Sequence, residues 1–262
     1  MGRAIVRWLV AAALSAAAPA AAQLPERLHL GYDIVYSGVT IAVLEVDVAI
    51  ANGTYVLNTY TATTGLFSLL LPLVAQARTE GRLTEAGPVP LMHRSETRAQ
   101  GTVRTVSATF RDGRLAHFER RVDPPDPHAE SRVPDSDRAE SIDAASALLA
   151  LSLSVAQSRG CTARITSFDG RRLHQVSFSD GGMQRLPRGA PNGFGAEARL
   201  CSFVYESRDG PEPAGQARNG RVWIARVNGD GAMAPLRVEL DTSWGGAAVQ
   251  LRRPASLNGT AP

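Results

Sequence analysis

The chain has 262 residues and a formal charge of +3, carried by 28 basic residues, every one an arginine, against 25 acidic ones. That length can bury a substantial core in one large β domain or two small ones. The arginines are scattered among acidic residues without a basic run, which excludes the electrostatic footprint of a nucleic-acid binder.

At the N-terminus, Arg3 and Arg7 flank an apolar run, Trp8 to Ala18, that is too short to span a bilayer. Ala20-Ala21-Ala22 follows with the small side chains of a signal-peptidase site. Residues 1–22 are therefore expected to be a cleavable signal peptide, cut before Gln23. Loss of Arg3 and Arg7 leaves 28 − 2 = 26 basic against 25 acidic residues, a formal charge of +1. The complete preference for arginine reads as a GC-rich coding bias, and the expected location is a bacterial periplasm. No later segment reaches membrane-spanning length, so no transmembrane segment is expected in the mature chain.

Leu28 to Tyr36 reads as a strand, and Gly38 permits a turn. Val39, Ile41 and Val43 alternate with smaller residues, and Val46, Val48 and Ile50 continue one residue out of phase, the pattern of a strand bent by a β-bulge. Asn52-Gly53 is a hairpin signal, and Thr54 to Thr64 is the returning strand. Gly65 to Pro72 breaks the pattern with a compact apolar run too short for a stable lone helix. It reads either as a plug at one end of a β core or as an exposed apolar lip. On the second reading Leu66, Phe67, Leu69, Leu70 and Leu71 contact a lipid or a partner protein.

Strand patterns resume at Val74–Thr84, Pro90–Arg98, Thr102–Arg111 and Leu115–Val122, with Asp112-Gly113 as a turn. Pro124 to Asp137 is polar and proline-rich and is expected to be a mobile loop. Ser141 to Gln157 is the one convincing helix. Ser141 or Asp143 can cap it, Ala144, Leu148, Leu151 and Val155 repeat at helical spacing, and Gly160 closes it. The last third is again β: Ile165–Phe168, Leu173–Phe178, Ala198–Tyr205, Val222–Val227, Pro235–Thr242 and Ala247–Leu251. Turns are expected at Phe168-Asp169-Gly170-Arg171, Asp180-Gly181-Gly182 and Asn228–Gly231. The tail from 255 to 262 is expected to be disordered.

These patterns predict a mostly β, single domain over residues 23–254, a curved antiparallel sheet or half-open barrel with one main helix packed against it. Cys161 and Cys201 are the only cysteines. In an oxidising compartment they are expected to form a structural disulfide. Closing a loop of this length is worth about 4 kcal/mol in the chain-entropy treatment.

Catalytic signals are missing. There is no Gly-x-Ser-x-Gly elbow, no His-Glu-x-x-His helix and no phosphate-cradling glycine loop. His29, His93, His117, His128 and His174 lie far apart, each alone, and read as surface or single-partner histidines. Asn228-Gly-Asp-Gly231 lacks the terminal Glu of a calcium loop and reads as a turn. No enzyme activity, cofactor or metal is expected.

Several short motifs occur in a consistent order: Tyr32–Tyr36 with Gly38, Tyr60 with Thr64-Gly65-Leu66, Gly81 with Pro90, and the helix start at Ser141–Leu149. Cys161, Phe168-Asp169-Gly170-Arg171, Cys201 and Pro235-Leu236-Arg237-Val238 complete the series. In this order they resemble bacterial domain-of-unknown-function family 3108, secreted proteins of the Gram-negative envelope. The chain departs from the family pattern at the helix start, where Asp143 is followed by Ala144 instead of proline. The resemblance implies a β-spiral or half-open barrel similar to that of lipoprotein carriers and envelope-integrity proteins, and it implies no catalytic residues. The expected role is support of envelope integrity, with an acyl chain or another apolar ligand held by the concave face of the sheet. The alternating apolar positions of Val39–Ile50 and Thr102–Phe110 would line that face, or else form a filled core. A protein-interaction scaffold and a hydrolase with an unrecognised site are the competing readings.

Overall fold

The computed structural model describes residues 26–125, 131–169, 171–186, 197–208, 217–227, 232–242 and 245–252. The expected signal peptide, the Asn228–Gly231 turn and the tail lie outside them. Seven strands come first: β1 (Arg27–Tyr36), β2 (Val39–Ala51), β3 (Thr54–Thr63), β4 (Leu73–Thr84), β5 (Gly87–Ala99), β6 (Thr102–Arg111) and β7 (Arg114–Asp123). A short helix, α1 (Phe67–Leu70), joins β3 to β4. After β7 come α2 (Asp135–Ala139) and α3 (Ala144–Ala156). Six strands complete the chain: β8 (Ala163–Phe168), β9 (Leu173–Arg185), β10 (Glu197–Arg208), β11 (Arg218–Val227), β12 (Ala232–Thr242) and β13 (Gly245–Leu251).

All 13 strands form one antiparallel sheet in the order β7-β6-β5-β4-β3-β2-β1-β13-β12-β11-β10-β9-β8. The first strand thus pairs with the last, which welds two hairpin meanders into one surface. Hairpin chemistry sets the order. Asn52 and Gly53 both adopt positive φ, 49° and 71°, the backbone that a two-residue turn between twisted strands requires. Asp112 and Gly113 do the same.

The bend expected in Val39–Ile50 is present. Ile34 pairs with Ala42 and Val35 with Thr40, so Ile41 is an extra residue and a bulge. The bulge lies slightly ahead of the phase change in the sequence. Leu44, Val46, Val48 and Ile50 face one side beyond it. A second bulge brings Gly81 opposite Pro90. Gly81 is required there by close approach, since a Cβ would lie 2.4 Å from the Tyr55 ring.

Three expectations need correction. Asp180-Gly181-Gly182 does not turn the chain. Arg199 pairs with Met183 and Cys201 with Asp180, so the glycines form a bulge within β9, a use of flexible backbone equally open to them. The helix stops at Ala156, with Ser158 at positive φ, before Gly160 is reached. In the segment expected as a loop, residues 131–137 hold defined structure. Val133 is buried, the Ser131 hydroxyl donates to the Arg171 carbonyl, and α2 starts at Asp135. Residues 126–130 of that segment lie outside the described ones.

Asp143 caps α3, its carboxylate accepting from Ser146 N–H at 2.9 Å. Leu151 and Val155 pack with Val222 and Ile224 on the sheet. Cys161, just past the helix, is bonded to Cys201 on β10 with Cα atoms 5.9 Å apart. The bridge ties the end of α3 to the sheet in a fully buried setting. A buried disulfide fits an oxidising, extracytoplasmic compartment.

Candidate functional site

The curled sheet and α3 enclose two adjoining cavities. The first, about 320 Å³, lies between the body of α3 and strands β1–β4, β12 and β13, with His93 of β5 in its wall. Its wall is mostly aliphatic, with Leu44, Val46 and Val48 from β2, Leu148 and Leu149 from the helix and Val249 from β13, and Tyr32, Thr59, His93 and Ser152 as its polar members. On β1, β2 and β3 the residues that bound it alternate, so the period of 2 that builds the sheet also places every other side chain here. No charged side chain enters this lining.

The second cavity, about 310 Å³, lies at the N-terminal end of α3, where the two edges of the sheet approach each other. Phe118 of β7 meets Phe168 of β8 edge to face with ring centroids 4.8 Å apart, and the Arg138 guanidinium of α2 lies over Phe168 at 5.6 Å. Arg114 of β7 pairs with Glu140 at 2.7 Å, and Ile142 N–H donates to the Thr166 carbonyl on the edge of β8. Segment 131–142 therefore runs as a strap along a seam closed by side chains. His93 and Ala144 line both cavities.

Two polar networks stand around this second cavity. In one, Asp143 accepts from Ser146 N–H, from the Ser146 hydroxyl at 2.5 Å and from the Thr79 hydroxyl at 3.0 Å. Tyr55 in turn donates its hydroxyl to Ser146 at 2.7 Å. Because Thr79 gives its only proton to Asp143, His93 must donate Nδ1–H to Thr79, at 2.8 Å, and keeps Nε2 as an acceptor. Burial holds His93 below its ordinary pKa, with the Asp143 charge pulling the other way. Burial likewise pushes the Tyr55 hydroxyl up to about 12, opposed by the Ser146 bond and aided by the Asp143 charge.

In the other network, Asp169 accepts from Arg171 N–H and Arg172 N–H, the turn read from Phe168-Asp169-Gly170-Arg171. Its second oxygen meets His174 Nε2 at 2.9 Å, and His174 Nδ1 meets the Tyr205 hydroxyl at 2.7 Å. Burial pushes the Asp169 carboxyl up, but the bonds from His174 and the two amides outweigh it and hold the group well below the usual carboxylate range.

The histidines are thus less isolated than their sequence spacing implies: His29 meets Asp47 and Glu45, His93 meets Thr79, and His174 meets two partners. Thr79, Tyr55 and Tyr205 carry no sequence signal for these roles, which depend on strand register and helix docking. Val106, Ala108 and Phe110 of β6 line the polar cavity, and the alternating residues of β2 line the apolar one. Leu66, Phe67, Leu69, Leu70 and Leu71 line neither. The four leucines are exposed at the β3–β4 connection, Leu69 at 79%. A wider depression of about 620 Å³ on the opposite face is bordered by charges that pair locally, Arg78 with Glu80 and Arg121 with Glu119. Among the described residues no group of three or more His, Cys, Asp or Glu is placed to hold a metal ion, and no helix is long and apolar enough to cross a membrane.

An antiparallel sheet curled around one helix and left open along a seam defines a β-barrel-like protein. The chain belongs to the family described as "Protein of unknown function (DUF3108)", whose sequence profile matches residues 31–252. Among solved structures it is similar to the beta-barrel-like protein of domain of unknown function DUF1849 from Brucella abortus, at 14% identity and a TM-score of 0.49, over 90% of this chain and 100% of that one. No curated protein matches its sequence.

Proposed function

We propose that this is a non-enzymatic periplasmic protein that supports the cell envelope by holding an acyl chain, or another apolar ligand of that shape, between α3 and the concave sheet. The observation that carries the reading is the aliphatic cavity of about 320 Å³. Ligand sites run from about 300 to 1,000 Å³, so this volume suits one chain better than two. A mostly aliphatic wall without Asp, Glu or Arg takes such a chain through the hydrophobic effect. The non-enzymatic part of the reading is supported by the histidines. His174 has both ring nitrogens engaged, by Asp169 and Tyr205, and the hydroxyl that meets His93 belongs to Thr79, which is only 1% exposed.

The test is native mass spectrometry of the protein purified gently from a periplasm, followed by solvent extraction. The expected result is a reproducible added mass that extracts as a lipid. An apo mass, together with failure to take up a fluorescent fatty acid, would end the acyl-chain reading. A scaffold role has its own supporting observation, the exposed Leu66 and Leu69–Leu71. Crosslinking through that connection to an envelope protein would favour it.

A further inference from the structure

We infer that the polar cavity at the seam receives the head of the same ligand, and that this head is an anion, a carboxylate or a phosphate on a single alkyl chain. The inference rests on the acyl-chain reading for its tail and on separate observations for its head. The two cavities adjoin along one line, body of α3 to its N-terminus, with His93 and Ala144 common to both walls. A ligand whose tail lies along the helix therefore presents its other end to the seam.

Unused donors collect at that end. Ser141 lines the polar cavity and is 2% exposed, yet its hydroxyl has no partner among the described residues. A buried hydroxyl left so costs about 1–3 kcal/mol, a cost that a ligand atom would remove. The N–H groups of Ala144 and Ala145, in the first turn of a 13-residue helix, have no intrahelical acceptor and sit at the positive end of its dipole. Arg104, an exposed cation, stands in the same lining with the hydroxyls of Ser95, Thr97 and Ser167.

The carboxylates in the same wall keep their negative charge, so an anionic head must be held against them by the free donors, but their hydrogen-bonding capacity is already taken. Asp143 already accepts from Thr79 and twice from Ser146, and Asp169 accepts from His174 and two amides. Their acceptor capacity is turned toward the protein, while Ser141, Arg104 and the helix end keep donors to spare. That asymmetry selects an acceptor-rich head over a cationic one.

The experiment is calorimetric titration of the lipid-stripped full chain with dodecanoate, dodecyl phosphate and methyl dodecanoate. Both anions are expected to bind about tenfold or more tightly than the ester, a gap of about 1.4 kcal/mol. The tighter of the two anions identifies the head as carboxylate or phosphate. Ser141→Ala and Arg104→Gln should each narrow the gap by severalfold and leave ester binding unchanged. Ser141→Ala should not lower the melting temperature of the unliganded protein, because it deletes a hydroxyl without a partner. Val46→Phe, which fills the apolar cavity, should weaken all three ligands. Equal binding of anions and ester by the unmutated protein would overturn the head assignment and leave the acyl-chain reading standing. Binding of none of the three would overturn both.

Discussion

The two meanders of the sheet, β1–β7 and β8–β13, fill their interiors differently. In the second, Val222, Ile224, Val227 and Leu236 are buried to 1% or less, and the disulfide sits among Leu151, Val155 and these strands. In the first, the cavity-lining positions of β4–β6 include Ala77, His93, Ser95, Thr97 and Arg104, short or polar groups. The packed half holds α3, and the looser half supplies much of the cavity walls. A cavity can persist in a small protein when one side is dense enough to carry the stability of the whole.

The largest expected effect falls on the dense half. Cys161→Ser or Cys201→Ser should each cost about 2–5 kcal/mol, and by similar amounts, since either opens the same loop. Denaturant melts with and without reductant measure it, and identical curves for the unmutated protein would refute it. Next, Ile224→Ala should cost about 2–5 kcal/mol, whereas Val46→Ala, in a cavity wall, should cost about 1 kcal/mol. Equal losses would erase the proposed contrast between the halves. Asp143→Ala removes a helix cap and a hub of three donors and should cost about 2 kcal/mol, read by urea unfolding.

The smallest effect is a pH dependence. Tyr55 titrates near 10.0 when exposed and about 12 in the fold, so the unfolded chain releases its proton first. The stability that Tyr55 contributes is present in full below pH 10 and declines as pH rises from 10 to 12. Tyr55→Phe should flatten that decline, and an unchanged slope would count against the buried hydroxyl network.

Much of the fold was legible because its determinants are local. Asn52-Gly53 and Asp112-Gly113 dictate turns from two residues each, the phase change in Val39–Ile50 reports a bulge, and Asp143 caps the helix three residues before its partner. Helix α2 escaped because five residues after a proline-rich stretch carry no apolar repeat. The site was less legible. His174 lies five residues from Asp169, a proximity visible across a hairpin, but Tyr205 joins them only through the β9–β10 register. His93 and Asp143 meet through the docking of α3 on a strand 50 residues away, and a cavity is a deficit of side-chain volume that no single residue records.

The strand count has a final consequence. Twelve antiparallel pairings in a row leave β7 and β8 running in the same direction. An antiparallel ladder therefore cannot knit the barrel shut, whatever the curvature. Parting the seam would cost an aromatic contact, a cation–π contact and a few strap bonds, with no ladder to unzip. Among the described residues, this seam is the place where side chains and not a strand ladder hold the wall together, and it lies beside the N-terminus of α3.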